Sequence, residues 1–164
     1  MRILITGPEC TGKSTLARQL SEKLSLPWFP EYARTYLEQN GPNYNQDDIL
    51  KIAKAHFHLV ETFSADQPLI LDTYLLNLKI WTEYKYLQTE PWVDQRLLAM
   101  TPPDYVFLLS PDLPWKQDGL RESEGQRTVL FELYSRQLTN LRWNYNVITG
   151  VGRARLDAVM EKLE

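Results

Sequence analysis

A single cysteine, Cys10, in 164 residues cannot form an internal disulfide, so no covalent staple holds this chain together. Basic blocks are missing too. The 18 Lys and Arg and 21 Asp and Glu are dispersed to a net charge of −3, which leaves no footprint for nucleic acid or for an anionic membrane surface. No apolar run approaches the roughly 20 residues needed to cross a bilayer. There are also no repeats, low-complexity tracts or composition breaks, and the length suits one domain, residues 1–164, with a sizeable core. The first residues enter an apolar run directly, without the pattern of a secretory leader, so a cytoplasmic protein is expected.

Glycine is scarce as well, yet two of the seven frame the most informative stretch, Gly7-Pro8-Glu9-Cys10-Thr11-Gly12-Lys13-Ser14-Thr15. It fits the Walker A pattern G-x-x-x-x-G-K-[ST], whose backbone N–H groups cradle phosphates while the Lys reaches the outer phosphates and the first hydroxyl holds Mg²⁺. The pattern needs a strand before it and a helix after it. Ile3-Leu4-Ile5 is an apolar run of the kind buried on both faces, and Leu16, Leu20 and Leu24 recur at helical spacing. The stretch from Gly7 through Glu9, Cys10, Thr11, Gly12, Lys13, Ser14 and Thr15 is therefore read as the site for ATP. Cys10 occupies a variable position and reads as a small tolerated side chain.

Further along, Leu26 to Pro30 reads as a brief second strand and Glu31 to Glu38 as a helix broken by Gly41-Pro42-Asn43. A third helix from about Asp47 carries Ile49, Ile52, Ala53, His56, Val60 and Phe63 on one stripe. His56 on that stripe reads as a buried, hydrogen-bonded structural residue. Leu69-Ile70-Leu71-Asp72 is a strand ending in a carboxylate, the Walker B arrangement, in which Asp72 helps to hold the metal or orients the attacking group.

Tyr74 to Leu87 is helical by the spacing of Leu76, Ile80, Tyr84 and Leu87, with Trp81, Tyr86 and Trp92 as nearby aromatic surface for core packing or ring stacking. Pro91 to Met100 is a shorter helix and Tyr105 to Leu109 a strand. Ser110 to Arg121 is polar and turn-rich, and Arg127 opens a helix with Leu130, Leu133, Tyr134, Leu138 and Leu141 on its apolar face. Arg121 and Arg127 thus lie where a lid joins a rigid helix, placed either to stabilise a transferring phosphoryl group or to pair with Glu122 and Glu124. Tyr145 to Gly150 gives a last strand and turn, followed by a helix with Leu156, Val159, Met160 and Leu163.

Apolar strands alternating with helices predict an α/β, three-layer fold with a mostly parallel sheet, helices on both faces and a lid. Ligands bind such sheets beyond the carboxyl ends of the strands, which should bring Lys13, Glu31 and Asp72 toward one cleft. Covering segments at about 31–65 and 111–127 suit a small acceptor and a lid, so a small-molecule kinase follows. A kinase for another nucleoside or alcohol, and a non-catalytic ATP sensor or slow ATPase, remain open.

The stretches GPECTGKST, PEYARTYLE, LILDT, LKIWTEYKY and PWKQDGLRE, with Arg127 and the helix after it, resemble the ribosylnicotinamide kinase domain of the NadR-type NAD-biosynthesis regulators, over nearly the whole chain. The resemblance implies transfer of the ATP γ-phosphate to the 5′-hydroxyl of nicotinamide riboside, a small nucleoside acceptor. It implies that Lys13 stabilises the phosphates, Ser14 and Asp72 serve Mg²⁺, Arg121 and Arg127 clamp the phosphoryl group, and Glu31 and Arg34 face the acceptor. The proton acceptor is left between Asp72 and Glu31. Tyr74 stands where family members often carry a second carboxylate, which places Tyr74 on the acceptor side and bears on the identity of the acceptor; His56 stands where Gln is common.

Overall fold

The computed structural model describes residues 1–64 and 66–163. The expected covering segment 31–65 and the expected domain 1–164 each end on a residue outside this description. Among the described residues five strands form one parallel sheet in the order β2-β3-β1-β4-β5: β1 (Arg2–Thr6), β2 (Trp28–Phe29), β3 (Leu69–Asp72), β4 (Tyr105–Leu109) and β5 (Asn146–Ile148). Seven helices accompany them: α1 (Lys13–Leu24), α2 (Tyr32–Asn40), α3 (Gln46–Glu61), α4 (Leu75–Tyr86), α5 (Pro91–Ala99), α6 (Arg127–Asn140) and α7 (Arg153–Leu163).

The three layers follow from the period-2 alternation of side chains along each strand. Leu4, Leu69, Leu71, Val106 and Leu108 point into a core shared with Ile49, Ile52, Leu76, Leu97 and Leu130 of α3 to α6. Their neighbours Ile3, Ile5, Ile70, Phe107 and Leu109 point the other way, into a core with Leu16 and Leu20 of α1 and Val159 of α7. Because both faces are covered, the strands read as continuous apolar runs.

The register aligns Ile5 with Asp72 and with Phe107, so the carboxyl ends of the three central strands open on one edge. Thr73, just past β3, has φ +69, and its N–H donates to the Ile5 carbonyl at 2.9 Å. A β-branched residue in the left-handed region is strained, and such strain gathers where a chain must turn sharply at a site.

Several boundaries differ from the sequence expectation. Asn45 caps α3 reciprocally with Asp48, so that helix starts at Gln46, and Phe63 lies beyond its end. Leu87 was expected on the apolar face of α4 but is its left-handed C-cap and is 88% exposed, because the helix stops at Tyr86. Leu141 likewise follows α6 rather than ending it. His56 is buried as expected, stacked on Phe29 with ring centroids 5.1 Å apart, but its Nε2 has no hydrogen-bond partner. Burial pulls its pKa down to about 4, so it is neutral. No described helix is long and apolar enough to cross a membrane.

Candidate active site

The phosphate-binding pattern folds as a loop between β1 and α1. Gly7 has φ +136, and a Cβ there would stand 2.9 Å from the Leu109 carbonyl oxygen, so the loop can pass β4 this closely only without a side chain. Gly12 is the left-handed N-cap of α1. The Pro8 carbonyl accepts from Lys13 Nζ and from Thr11 Oγ1, each at 2.8 Å, which fixes the loop around the nearly buried lysine.

A cleft of about 360 Å³ opens along the loop. Residues 7–15 form one wall, and α2 contributes Arg34 and Leu37 with its N-cap Glu31. From α4 come Asn77, Ile80, Trp81, Tyr84 and Lys85, and from the lid Leu120, Arg121, Glu122 and Ser123. An aromatic and aliphatic lining with a few fixed polar groups is the usual make-up of a small-molecule site.

Asp72 lies outside that lining. It is fully buried, and neither carboxylate oxygen has a hydrogen-bond partner. Burial, with the Glu31 charge added, pushes its pKa up to about 6; Ser14, Lys13 and Arg34 pull the other way. Ser14 is thus near enough to favour the charged form without making a hydrogen bond of good geometry. A buried carboxylate with free oxygens beside a hydroxyl is a donor pair of the hard-oxygen type that Mg²⁺ takes. Among the described residues no group of three His, Cys, Asp or Glu could hold a metal by itself. The residues present therefore fit a Mg²⁺ whose remaining ligands are phosphate oxygens and water.

Tyr74 is corrected. At 3% exposure it lies in the core, its ring edge-on to His56 at 5.3 Å, and it does not line the cleft, so it has no surface to offer a substrate. The reason is local: Tyr74 is the N-cap of α4 in extended backbone, which turns its ring away from the strand edge and under α3.

The lid arginines do not pair with Glu122 and Glu124 in the way that the solvated-surface reading supposed. Arg121 donates to the Lys116 carbonyl at 2.6 Å and lies 3.3 Å from Asp118, which also takes Arg34 at 2.8 Å. One carboxylate thus holds the two cleft arginines, Arg34 from α2 and Arg121 from the lid. Arg127 is absent from the cleft lining and donates instead to the carbonyls of Cys10 (3.3 Å) and Leu113 (2.7 Å). As placed, it is a strut between lid and loop rather than a clamp.

Glu122 pairs with Lys85 at 2.8 Å and accepts from Tyr44 Oη at 2.9 Å, while Tyr44 accepts from Trp81 Nε1 at 2.8 Å. Lys85 also sits 3.9 Å from the Tyr44 ring centroid. Burial pushes the Tyr44 phenol up to about 12, so it stays protonated and can donate. Of the aromatics noted in the sequence, Trp81, Tyr84 and Tyr134 line the cleft, whereas Trp92 packs edge-on against Phe57.

Other residues of this region carried no motif. Arg155, buried on α7, reaches under the loop to the carbonyls of Thr11 and Ser110 and to Asp112. Asn77 joins Thr6 at the end of β1 to Tyr134 of α6. Their partners are 144, 45, 43, 71 and 57 positions away, a pairing that no local pattern could disclose.

The fold and site define a P-loop protein with the architecture of nucleoside and nucleotide kinases. A family model described as an AAA domain matches residues 2–155, and the chain belongs to that family. None of the curated proteins compared with it matches. Among solved structures it is similar to NadR protein in complex with NAD and AMP-PNP, with TM-score 0.79 and 22% identity over 98% of this chain and 48% of that one. The same figures hold for NadR in complex with NR. The chain thus spans about half the length of these relatives. It is also similar to deoxyadenosine kinase from M. mycoides (TM-score 0.69, 16% identity, 99% of this chain and 98% of that one). Thymidylate kinase from Ehrlichia chaffeensis gives TM-score 0.68 and 16% identity over 100% and 98% of the two chains.

Proposed function

We propose that this chain is an ATP-dependent kinase that phosphorylates the 5′-hydroxyl of nicotinamide riboside to give nicotinamide mononucleotide. The observation that carries the kinase reading is the division of labour between two carboxylates: Glu31 faces the cleft opposite the phosphate loop, whereas Asp72 is buried behind it with free oxygens. An acceptor needs the first and a metal the second. The acceptor itself is supported by the family resemblance and by the likeness in fold to NadR.

In this reading Lys13 and the loop N–H groups hold the outer phosphates, and Ser14 and Asp72 are the residues that would hold a Mg²⁺, which would supply charge neutralisation to the phosphate oxygens. The acceptor oxygen forms a bond to the γ-phosphorus as the bond to the bridging oxygen breaks, and ADP departs. Glu31 takes the hydroxyl proton, since Asp72 has no surface on the cleft. Arg34 and Arg121, already gathered by Asp118, offset the charge of the transferring group. Arg127 serves by fixing the lid to the loop. Trp81 and Tyr84 offer the acceptor ring an apolar wall.

The test is to incubate the protein with Mg-ATP and a panel of nucleosides and follow ADP and phosphorylated product by mass spectrometry. Product from nicotinamide riboside is expected. Product only from another nucleoside would replace the acceptor and keep the kinase. Nucleotide binding without acceptor-dependent turnover would leave a sensor or slow ATPase.

A further inference from the structure

We propose that Glu9 is a positioning residue that latches the lid onto the phosphate loop and so keeps water from the phosphoryl group during transfer; this rests on the kinase reading above. Glu9 occupies a position at which the phosphate-binding pattern asks for nothing. Its carboxylate nevertheless accepts three donors, all from the lid: Trp115 Nε1 and the Ser123 N–H, each at 2.8 Å on Oε1, and the Glu122 N–H at 3.2 Å on Oε2. The next residue continues the attachment. The Lys116 N–H donates to Cys10 Sγ at 3.2 Å, and Arg127 joins the Cys10 carbonyl to that of Leu113. Two adjacent loop residues thus hold both limbs of the lid, 113–116 and 122–123.

The charge of Glu9 fits a latch. A carboxylate lining a cleft meant for phosphates repels them, so in binding terms alone it is a liability. Three donors aimed at one carboxylate disperse that charge and are each stronger than bonds between neutral groups. The opposite side of the lid is tied separately, through Asp118 to Arg34 and through Glu122 to Lys85 and Tyr44. Glu9 therefore spans the donor side and the other pairs the acceptor side, and closure needs both. A loosened lid admits water, and water competes with the acceptor for the phosphoryl group.

The experiment uses the full chain with Glu9→Ala, Glu9→Gln and, as a lid-charge control, Glu124→Ala, an exposed residue. Without nucleotide, amide exchange across residues 115–123 should speed up about ten- to hundredfold in Glu9→Ala, which loses all three charge-assisted bonds. Glu9→Gln keeps one accepting oxygen and should fall between, and Glu124→Ala should match the wild type. In turnover, Glu9→Ala should lower kcat, leave KM for ATP unchanged or lower, and raise the share of ATP hydrolysed without transfer; Glu9→Gln should recover part of the loss. Wild-type exchange in Glu9→Ala, or a rise in KM together with the fall in kcat, overturns the latch. If Glu9→Ala does not fold, the Glu9→Gln exchange and hydrolysis share decide. If the wild type phosphorylates no acceptor in the panel, the kinase reading fails, and exchange still judges the latch by itself.

Discussion

Replacing Asp72 by Asn should make the protein more stable while removing the Mg²⁺-dependent turnover proposed for it. Asp72 is fully buried with both oxygens unpartnered, and its pKa is raised from 3.8 to about 6. Two units at 1.36 kcal/mol each put the cost of its ionisation in the folded state at ~3 kcal/mol. The folded state holds the proton more tightly than the unfolded one. Stability from this group is therefore greatest below about pH 4, falls as pH rises toward 6, and is level above that. Asparagine keeps the shape and a comparable neutral polarity but never ionises. For a domain of this size 1 kcal/mol corresponds to roughly 2–4 °C, so the variant should melt about 6–12 °C higher at pH 7.5 and match the wild type near pH 4.

The comparison must be a difference between the two proteins. His56, whose pKa burial lowers from 6.5 to about 4, works in the opposite sense: stability it permits at neutral pH is lost as pH falls through that window. In the wild type alone the two slopes oppose each other, whereas His56 cancels from the difference. Thermal melts of both proteins from pH 4 to pH 8, with and without Mg-ATP, make the assay; Mg-ATP should raise the wild type more than the variant. A variant that melts lower than the wild type at pH 7.5, or a gap that does not change with pH, would refute the reasoning, since Asp72 would then be ionised without penalty.

Glu31→Gln should lower kcat by about 10²- to 10⁴-fold with nucleotide affinity unchanged; because Glu31 is one of the causes that raise Asp72, the same variant should lower the pKa of Asp72, as followed by NMR titration of its carboxyl carbon. Lys13→Ala should abolish turnover but leave the melting temperature within a few degrees, because the Pro8 carbonyl keeps its bond from Thr11; a large drop in melting temperature would show the lysine to be structural. Gly7→Ala should cost more than about 2 kcal/mol in denaturant unfolding, since the new Cβ meets the Leu109 backbone, which cannot yield as a side chain can.

The phosphate loop and its flanking strand and helix were legible because glycine spacing, a short apolar run and a leucine repeat are local and each has one physical meaning. The parallel sheet was legible for a related reason: strands covered on both faces leave no polar alternation in Leu69–Leu71 or Tyr105–Leu109. The lid was legible as a segment but not in its attachments. Nothing about Arg127 or Glu9 in sequence says that one would strut the loop and the other receive Trp115, Glu122 and Ser123. Tyr74 misled for the opposite reason. Its place where the resembled family carries a second carboxylate implied the acceptor side, but as an extended residue ahead of α4 it turns its ring into the core.

Local sequence is enough to define the loop over residues 7–15, the alternation of strands and helices, and a carboxylate at the end of β3. Those features depend on chirality, side-chain period and backbone freedom, which act over a few residues. Only the assembled fold buries Asp72 near Ser14 with a raised pKa while Glu31 faces the cleft, and lets Arg34 and Arg121 share Asp118. Burial and Coulomb interaction depend on distance through space, and these partners are brought together only when the lid and α2 meet over the edge of the sheet.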